Sequence, residues 1–578
     1  MIGLIKVRGF EATMLDIVSR SQRGRVCEYT RNGEKITTPA VIGSDSTQPV
    51  WIESADTGRV LHLMGTEVPL ETGLRTTASC GIVRDVAEQD GVAVVRLPLP
   101  EEMSFSEDTE VVVVPNAYEL RKNSRRIVDT VIRLRTAAGF NRLVVMLGLG
   151  EPATMAMLAY MGVDVFDDSL ARAAGISGLR LMPEAEVTSG EDQSLANIRD
   201  METEAEKIRL FTSCDRLREL VDQRAPSSPF SVATLRIYDR EGYEYAEETC
   251  STVGCRFSCN TTQALRRPDI RAYKDKIANY RKPAHKRVLL LLPCSAKKPY
   301  HISKTHKAFA SAIHTAAHDT LVHEVIVTSP LGIVPRELDA MYPANSYDIP
   351  VTGEWKLEEK QFIRQMVGDL ISQGYDKVVC HLGNDYELVG GLADDMVCTV
   401  LDDDTTSFAS LENLDRTLRE VTKGMEPVDY LEDRNNLMRS VLEFQFGREA
   451  ADLLMDENTY AIGKFPYWKL IRENPENRKE KIQLGMVTPE RGMLSLTMDG
   501  AQILADAGFN TVEIMDFEMK GNLFAVGVVK ADPRIHIGDE AIAVCDGEVR
   551  GVGVAFMCGR EMTDVKRGIA VKIRHKKK

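Results

Sequence analysis

From residue 288 the chain alternates short apolar runs with longer segments in which apolar positions recur every three or four residues. Residues 288–292, 323–328 and 376–380 are typical of strands, and residues 303–319 and 357–375 are typical of helices. Strands separated by helices form a parallel, helix-covered sheet, and ligands gather at the carboxyl ends of its strands. The loop after residue 292 is therefore expected at a ligand-binding edge.

The rest of the chain has other patterns. Before residue 260, short β-rich runs mix with helical segments, and after residue 504 short alternating strands are punctuated by Gly and Asp, as in a small β-barrel. We expect a multidomain α/β protein with the following parts: 1–260, an N-terminal domain; 261–287, a basic connector; 288–426, a central α/β domain with a parallel sheet; 427–503, a small α+β linker domain; 504–578, a β-barrel.

Composition limits the class of protein. A chain of 578 residues is too long for one core and predicts roughly three to five units. With 43% hydrophobic and 27% charged residues and no apolar run long enough to span a bilayer, it is typical of soluble proteins. We find no export signal, so no membrane association and a cytoplasmic location are expected. Eleven scattered cysteines do not indicate a secreted disulfide framework.

Charge is distributed unevenly. A net charge of −14 argues against a protein that coats nucleic acid indiscriminately. Residues 266–287 nevertheless carry nine Lys or Arg against two Asp, and residues 566–578 carry seven against none. A single such run is as easily a solvated surface, but two in an acidic protein favour a polyanionic partner.

The loop after residue 292 concentrates ionisable groups. Cys294 precedes Lys298, and a helix begins near Ser303, whose side chain can cap it. A cation and a helix N-terminus both favour thiolate over thiol, which predicts a reactive cysteine. Tyr300 adds a phenol, and His306 lies three residues after Ser303. The alternative is a buried structural cysteine beside a polar loop.

Seven residues in this loop form a signature: Pro293, Cys294, Lys298, Pro299, Tyr300, Ser303 and His306. The pattern Pro-Cys-x3-Lys-Pro-Tyr-x2-Ser-x2-His resembles that of the archaeosine synthase family, which is related to archaeal tRNA-guanine transglycosylases. The resemblance implies an enzyme that modifies tRNA carrying 7-cyano-7-deazaguanine at position 15 of the D-loop, by adding an amine to the nitrile. Implied partners are tRNA, lysine or another amine donor, and a radical SAM subunit that cleaves a lysine adduct; a homo-oligomer stays open.

The resemblance also suggests roles for the site residues. A nitrile carbon is electrophilic, so Cys294 is expected to form a thioimidate that an amine displaces. Lys298 and His306 would lower the pKa of Cys294 or shuttle protons, and Tyr300 and Ser303 would orient the base or the donor. Direct amine addition, with Cys294 lining the pocket, is the alternative.

Residues 148–170 resemble the transglycosylase barrel, where a Gly-rich loop holds the base and a Phe-Asp pair presents the nucleophile. This resemblance implies a TIM-barrel-related, degenerate N-terminal domain with Gly148 and Gly150 in the base-binding loop and Asp167 as a vestigial nucleophile. Two rival functions follow: base exchange through Asp167, or a non-catalytic tRNA-binding scaffold. Read alone, "GLGEPA" is a weak phosphate-loop match.

Four residues raise the question of a structural zinc site. Cys250, Cys255, Cys259 and His285 would supply three thiolates and an imidazole. Transglycosylases have a similar set, but the C-x4-C-x3-C spacing here is looser than theirs. Independent free cysteines are the other interpretation.

The C-terminal segment resembles the PUA domain, the small RNA-binding barrel shared by pseudouridine synthases and archaeosine transglycosylases. Its glycines fit tight turns and close backbone approach, and its basic tail would contact phosphates. The residues expected to bind RNA are Gly538, Gly551, Lys566, Arg567, Arg574 and Lys576. A barrel with a solvated charged tail is the alternative.

Overall fold

The computed structural model describes residues 14–56, 58–71, 74–76, 82–84, 86–316, 318–350, 355–477 and 479–577. The chain forms two compact units. Unit 1 comprises Met1–Cys250, Phe524–Val526 and Arg560–Ile569, and unit 2 comprises Ser251–Leu523, Gly527–Gly559 and Ala570–Lys578.

The chain up to Cys250 contains strands β1 (Met14–Ser21), β2 (Gly24–Arg31), β3 (Glu34–Thr38), β4 (Ala40–Ile42), β5 (Val50–Ala55), β6 (Gly58–Leu63), β7 (Thr66–Pro69), β8 (Leu74–Thr76), β9 (Ile82–Arg84), β10 (Ala87–Gln89), β11 (Val92–Val94), β12 (Val111–Val114), β13 (Leu143–Met146), β14 (Val165–Asp167), β15 (Leu179–Leu181) and β16 (Glu186–Thr188). Its helices are α1 (Ser124–Ala138), α2 (Pro152–Tyr160), α3 (Ser169–Ile176), α4 (Ser194–Ser213), α5 (Leu217–Arg224), α6 (Pro229–Glu241) and α7 (Tyr243–Glu247).

A six-stranded sheet organises unit 1, in the order β10-β11-β12-β13-β14-β4. Its strands are parallel except for β10, which pairs antiparallel with β11. β12 and β13 are apolar at every position and wholly buried, as expected for strands covered on both faces. The α/β prediction is confirmed here, whereas the relation to a TIM barrel stays a prediction.

The chain after Cys250 contains strands β17 (Phe257–Ser258), β18 (Val288–Pro293), β19 (Val322–Thr328), β20 (Gly332–Pro335), β21 (Tyr347–Asp348), β22 (Lys377–Cys380), β23 (Val397–Cys398), β24 (Thr459–Ile462), β25 (Lys469–Glu473), β26 (Lys481–Val487), β27 (Leu494–Leu496), β28 (Thr511–Ile514), β29 (Leu523–Phe524), β30 (Val528–Ala531), β31 (Glu540–Cys545), β32 (Glu548–Ala555) and β33 (Ile569–Lys576). Its helices are α8 (Pro268–Ile277), α9 (Lys304–Thr315), α10 (Leu357–Ile371), α11 (Phe408–Val421), α12 (Tyr430–Phe446), α13 (Arg448–Leu454), α14 (Met498–Asp506) and α15 (Gly559–Asp564).

The central sheet of unit 2 has the order β20-β19-β18-β22-β23, and β18 pairs in parallel with both of its neighbours. Alternate side chains of β18 enter two cores: Leu290 packs in the core that includes Phe309 of α9 and Leu414 of α11, and Leu291 in the core that includes Ile363 of α10. Because helices cover both faces, the strand is apolar at every position, which explains its uninterrupted hydrophobic run.

The stretch predicted as a connector, residues 261–287, contains α8 and contributes to this core. Ile270, Tyr273 and Ile277 recur at helical spacing and are buried among the residues of the central sheet. The basic residues between them occupy the other positions of the helix, so a basic composition concealed an amphipathic core helix.

Two further sheets follow in the chain. An antiparallel sheet in the order β24-β25-β26-β27 precedes α14, and a six-stranded mixed sheet has the order β29-β33-β32-β31-β28-β30. None of the helices in the described ranges has both the length and the apolar character that a membrane span requires.

Candidate active site

The cysteine loop begins at the carboxyl end of the central strand. In the register of β18 and β19, Pro293 lies opposite Val327, so the next residues along the two strands are Cys294 and Thr328. Parallel pairing therefore brings a thiol and a hydroxyl together at one edge of the sheet. The expected position of the loop, at the carboxyl ends of parallel strands, is confirmed.

The thiol of Cys294 is shielded from solvent. Burial raises the pKa of the Cys294 thiol above its ordinary value, and the negative charge of Asp385 raises it further, while Lys298 and a hydrogen bond from Thr328 lower it. Desolvation is the largest of these effects, so the thiol is the resting form at neutral pH. Lys298 thus lowers the pKa of Cys294, but the loss of hydration outweighs this effect, and the reactivity of Cys294 stays a prediction.

Lys298 is the charged partner of this thiol. Burial lowers the pKa of the Lys298 ammonium, and the charge of Cys294 acts in the opposite direction. The ammonium lies 4.0 Å from the centre of the Tyr347 ring, where a cation–π contact compensates part of the lost hydration. Burial therefore opposes charge on both members of the Cys294–Lys298 pair.

Three buried hydroxyls connect this pair to the protein interior. The Tyr300 hydroxyl donates to Thr328 Oγ1 at 3.2 Å, and the Tyr347 hydroxyl is hydrogen-bonded to both. Tyr300 is fully buried, so its ring faces the core. The structure thus connects Tyr300 to Cys294 through Thr328, and its predicted part in orienting the base or the donor stays untested.

Sequence reasoning missed Thr328, Tyr347 and Asp385. Thr328 is the last residue of β19, and Cys294 directly follows the neighbouring strand β18. The predicted strand ends could therefore have indicated that Thr328 lies near Cys294. Asp385 accepts a hydrogen bond from Trp355 Nε1 at 2.8 Å, and burial raises the pKa of its carboxyl. Nothing in the local sequence around Tyr347 or Asp385 indicates this position.

Ser303 is the N-cap of α9, as predicted. Its Oγ accepts a hydrogen bond from the His306 backbone N–H at 3.1 Å, which satisfies one of the free donors at the helix start. Since Ser303 is also buried, the structure shows it stabilising the helix and gives no sign of the orienting role predicted for it.

His306 is a neutral buried imidazole. Its Nδ1 accepts a hydrogen bond from Arg336 Nη2 at 2.8 Å, and since a guanidinium can only donate, the ring proton is on Nε2. Burial, with the charge of Arg336, lowers the pKa of His306 to about 2. A neutral His306 does not supply the positive charge that would lower the pKa of Cys294, and its predicted part in shuttling protons stays a prediction.

The Gly-rich loop and Asp167 lie together in unit 1. The Gly148 N–H donates to Asp167 Oδ1 at 2.5 Å, and burial raises the pKa of this carboxyl. A Cβ at Gly148, where φ is +78°, would lie 2.9 Å from Tyr118, and one at Gly150 would lie 2.9 Å from Phe166. Packing explains both glycines, so base binding by this loop stays a prediction.

Two of the four residues considered for zinc, His285 and Cys250, have hydrogen-bond partners that the structure shows. His285 Nε2 lies 2.7 Å from Asp433 and its Nδ1 lies 3.1 Å from Asn436. Cys250 is hydrogen-bonded to Gln22 and to the Ala246 carbonyl. Within the described ranges, no group of three or more His, Cys, Asp or Glu side chains could hold a metal ion.

The remaining two cysteines differ in their exposure to solvent. Cys259 is buried and Cys255 is exposed. The zinc interpretation stays a prediction, without support from the partners of His285.

The four basic residues expected to bind RNA, Lys566, Arg567, Arg574 and Lys576, are all exposed. Two of them also have hydrogen-bond partners within the protein: Arg574 pairs with the buried Glu540, and Lys576 donates to the carbonyls of Met519 and Lys520 at 3.0 and 2.9 Å.

The two glycines of this set are also explained by packing. A Cβ at Gly538 would lie 2.6 Å from Val253, and one at Gly551 would lie 2.8 Å from Met519. Since β33 extends through Lys576, the basic tail is part of the sheet; Lys578 lies outside the described residues.

Family models match two parts of the chain. Residues 270–418, which include the cysteine loop and the central sheet, match a domain of unknown function, DUF5591. Residues 512–577 match the PUA domain, which confirms the predicted C-terminal domain type.

Full-length relatives identify the family. The chain is 32% identical over 553 residues to the archaeosine synthase subunit alpha of Methanosarcina acetivorans, covering 88% of this chain and 86% of that protein. The chain belongs to the archaeosine synthase family. The archaeosine synthase of Haloferax volcanii is 29% identical over 602 residues, 97% of this chain and 98% of that protein. The tRNA-guanine(15) transglycosylase of Methanothermobacter thermautotrophicus is 24% identical over 503 residues, 78% of this chain and 68% of that protein.

A raised pKa of Cys294 predicts slow alkylation at neutral pH. Because the thiolate is the reactive form, the rate of carboxamidomethylation at Cys294 should rise about tenfold per pH unit and still be increasing at pH 9. Replacing Lys298 by Gln removes the cation and should slow the reaction at every pH. Peptide mass mapping of the iodoacetamide-treated protein measures this, with glutathione in the same tube as reference; a plateau below pH 8 would contradict the assignment.

The hydroxyl network predicts a specific effect of Thr328→Val. This nearly isosteric change removes the hydrogen bond to sulfur, so alkylation of Cys294 at fixed pH should slow further. Tyr300 and Tyr347 lose a partner as well, and stability should fall by about 1–3 kcal/mol in urea unfolding. The matched control is Thr320→Val, which removes a buried hydroxyl that bonds the Val428 carbonyl. Equal alkylation rates in the two variants would show that Thr328 does not act on Cys294.

Proposed function

We propose that this chain acts in archaeosine biosynthesis, as a tRNA-modifying transferase that adds an amine to the nitrile of 7-cyano-7-deazaguanine at position 15 of the D-loop. The similarity to proteins named archaeosine synthase, at 29–32% identity over most of both chains, supports the pathway. The observation that supports the chemistry is Cys294 at the sheet edge, beside the Lys298 side chain and the Thr328 hydroxyl, both of which lower the pKa of the thiol.

The first step is addition of sulfur to the nitrile. The Cys294 thiol gives its proton to the Lys298 amine while the S–C bond forms and one C–N π bond opens. The proton then passes to the nitrile nitrogen, which completes a neutral thioimidate. Burial suits Lys298 to this role, because a lysine whose pKa is lowered can act as a base near neutral pH.

The second step releases the enzyme. The donor amine attacks the thioimidate carbon, a C–N bond forms, the C–S bond breaks, and the proton lost by the amine returns to sulfur. The product on the base is an amidine, and no electrons are gained or lost. With lysine as donor the amidine carries the lysine skeleton, which a separate radical SAM enzyme would have to cleave; ammonia from glutamine would give archaeosine directly.

Direct addition of the amine is the competing mechanism at the same site. In that case Lys298 deprotonates the donor, and Cys294 only lines the pocket. The two mechanisms differ in one intermediate, the covalent adduct between Cys294 and the modified tRNA, which acid quenching followed by mass spectrometry can detect.

Unit 1 is proposed to serve in substrate binding and to be related to the transglycosylase barrel. The 24% identity to a tRNA-guanine(15) transglycosylase supports the relation. Base exchange through Asp167 is not favoured, since this carboxyl is buried and accepts the Gly148 N–H.

Replacing Cys294 by Ala tests the covalent mechanism. The purified protein is incubated with tRNA carrying 7-cyano-7-deazaguanine and with lysine or glutamine, and the nucleosides are weighed. Loss of a nucleophile should reduce amine addition at least about a hundredfold and leave tRNA affinity unchanged. Cys398→Ala, which alters an exposed cysteine of the same sheet, is the control. A Cys294→Ala variant that keeps more than about a tenth of the activity would exclude the covalent route.

The same assay distinguishes the rival functions by mass. Addition to the base gives a heavier nucleoside, exchange replaces the base, and a tRNA-binding scaffold changes neither. Asp167→Asn should keep amine addition nearly intact, and a large loss at unchanged tRNA binding would show that unit 1 takes part in the chemistry.

The PUA domain predicts salt-dependent tRNA binding through exposed cations. Because Lys576 belongs to β33, removing the tail would damage the sheet, and substitution of Lys566 and Arg567 is the cleaner change. Converting both to Gln should weaken tRNA binding and lower the slope of log affinity against log salt by up to about two units. Lys469→Gln, at an exposed lysine outside the PUA domain, is the control. Unchanged slope and affinity would place the RNA contacts elsewhere.

A further inference from the structure

Two cysteines outside the signature lie side by side on the central sheet of unit 2. Cys380 is the last residue of β22 and Cys398 is the last residue of β23, and the parallel register of the two strands pairs them directly. Adjacent strands lie about 4.8 Å apart, and the Cα atoms of disulfide-bonded cysteines lie about 4.4–6.8 Å apart. The backbone therefore holds the two residues at a separation that a disulfide can span.

Hydrogen bonds next to the pair keep the two strand ends together. The Thr399 N–H donates to the Cys380 carbonyl at 3.0 Å, and His381 Nδ1 is hydrogen-bonded to Thr399 Oγ1 at 2.7 Å. β22 also pairs with β18 on its other side, whereas β23 is two residues long and forms the edge of the sheet. Cys398 can therefore shift toward Cys380 without disturbing a third strand.

The two thiols differ in exposure and influence each other. Cys380 is buried and Cys398 is exposed. Burial raises the pKa of the Cys380 thiol to about 12. Burial also raises the pKa of the Cys398 thiol, but the interaction with the Cys380 side chain lowers it. The two side chains are therefore neighbours, and Cys398 is the thiol that a reagent from solvent can reach.

We propose that Cys380 and Cys398 form a reversible disulfide by exchange with a low-molecular-mass disulfide. Direct pairing in the register brings the thiols together, the exposed Cys398 gives the reagent access, and the short edge strand allows the adjustment that the bond needs. This inference does not depend on the proposed function of the chain.

The exchange takes place in two steps. The Cys398 thiolate attacks one sulfur of the small disulfide, a new S–S bond forms as that of the reagent breaks, and the departing thiolate takes up the proton that Cys398 lost. Cys380 then loses its proton and attacks the Cys398 sulfur, which releases the second small thiol. Two protein thiols are thus oxidised, and one small disulfide is reduced to two thiols.

The bond would close a ring that contains the segment between the two strands. This segment includes Asp385, in the turn Gly383–Leu388, and the charge of Asp385 raises the pKa of Cys294. The oxidised form would therefore hold the segment that carries Asp385 at both of its ends.

Mass mapping of the full-length protein tests the exchange. The reduced protein is incubated with oxidised glutathione, the remaining thiols are blocked with iodoacetamide, and the protein is digested. Residues 378–416 form one tryptic peptide that contains both cysteines, and cleavage after Glu387 separates them. We expect two fragments that stay joined until dithiothreitol is added, with a loss of two hydrogen atoms. The bond should form faster as pH rises, because the thiolate is the reacting species.

Two variants separate the roles of the thiols. In Cys380→Ala the second step is blocked, so Cys398 should accumulate as a mixed disulfide with glutathione, at least tenfold above its level in the unsubstituted protein. In Cys398→Ser the buried Cys380 should stay reduced. Because Cys398 is exposed, this change leaves the core intact, and its result stands whatever the effect of Cys380→Ala on folding. Cys545→Ala, at a buried cysteine of β31, is the control and should leave the bond unchanged.

Three results would overturn the inference. They are alkylation of both Cys380 and Cys398 after oxidation as complete as before it, an equal yield of mixed disulfide on Cys398 with and without Cys380, and a bond from Cys398 to a second copy of the chain, which a non-reducing gel would show as a dimer.

Discussion

The burial of β18 is the constraint on which the site depends. Residues 288–292 have no exposed surface, since parallel strands lie on both sides and helices cover both faces. The residue that follows this strand, Cys294, therefore lies at an edge of the sheet that has little contact with water. Desolvation is accordingly the largest cause of the pKa shifts of Cys294, Lys298 and His306, ahead of every charge near them.

Desolvation moves all three groups in a chemically consistent direction. It raises the pKa of the acid Cys294 and lowers the pKa of the bases Lys298 and His306, so in each case burial disfavours the charged form. In the proposed mechanism the nitrile is also uncharged, and charge is created as the S–C bond forms, when the proton of Cys294 moves to Lys298. A resting thiolate would need stronger stabilisation than one partly buried lysine supplies.

Local patterns predicted those features that depend on neighbours in sequence. The strand and helix alternation after residue 288, the cap by Ser303 and the position of Cys294 at a strand end all follow from periodicity and capping rules. The protonation of His306 depends on Arg336, thirty positions later, and the pKa of Cys294 depends on Thr328 and on the depth of burial. Such contacts are created by tertiary packing, and a single sequence does not specify them.

The amino-acid composition of a segment gave a wrong prediction where the positions of its residues along a helix or strand decide their burial. Residues 261–287 are rich in basic side chains, yet Ile270, Tyr273 and Ile277 repeat at helical spacing and are buried in the core of unit 2. In the same way the basic residues of the C-terminal segment are not equivalent, since Arg574 in β33 pairs with the buried Glu540, whereas Lys566 precedes the strand. Counting charged residues therefore gives the sign of a segment's net charge, whereas the fold determines which of these side chains can contact an RNA.

The helix start at Ser303 connects the two parts of the signature. Cys294 and Lys298 lie at the sheet edge, where bond formation is proposed, and His306, one turn into α9, is hydrogen-bonded to Arg336 and to the backbone of Pro293, the residue before Cys294. The cap fixes the first turn of α9, so the orientation of His306 is set by the loop that carries Cys294. The fourteen residues of the signature therefore form one unit, because a strand end, a short loop and a capped helix hold its members rigidly with respect to one another.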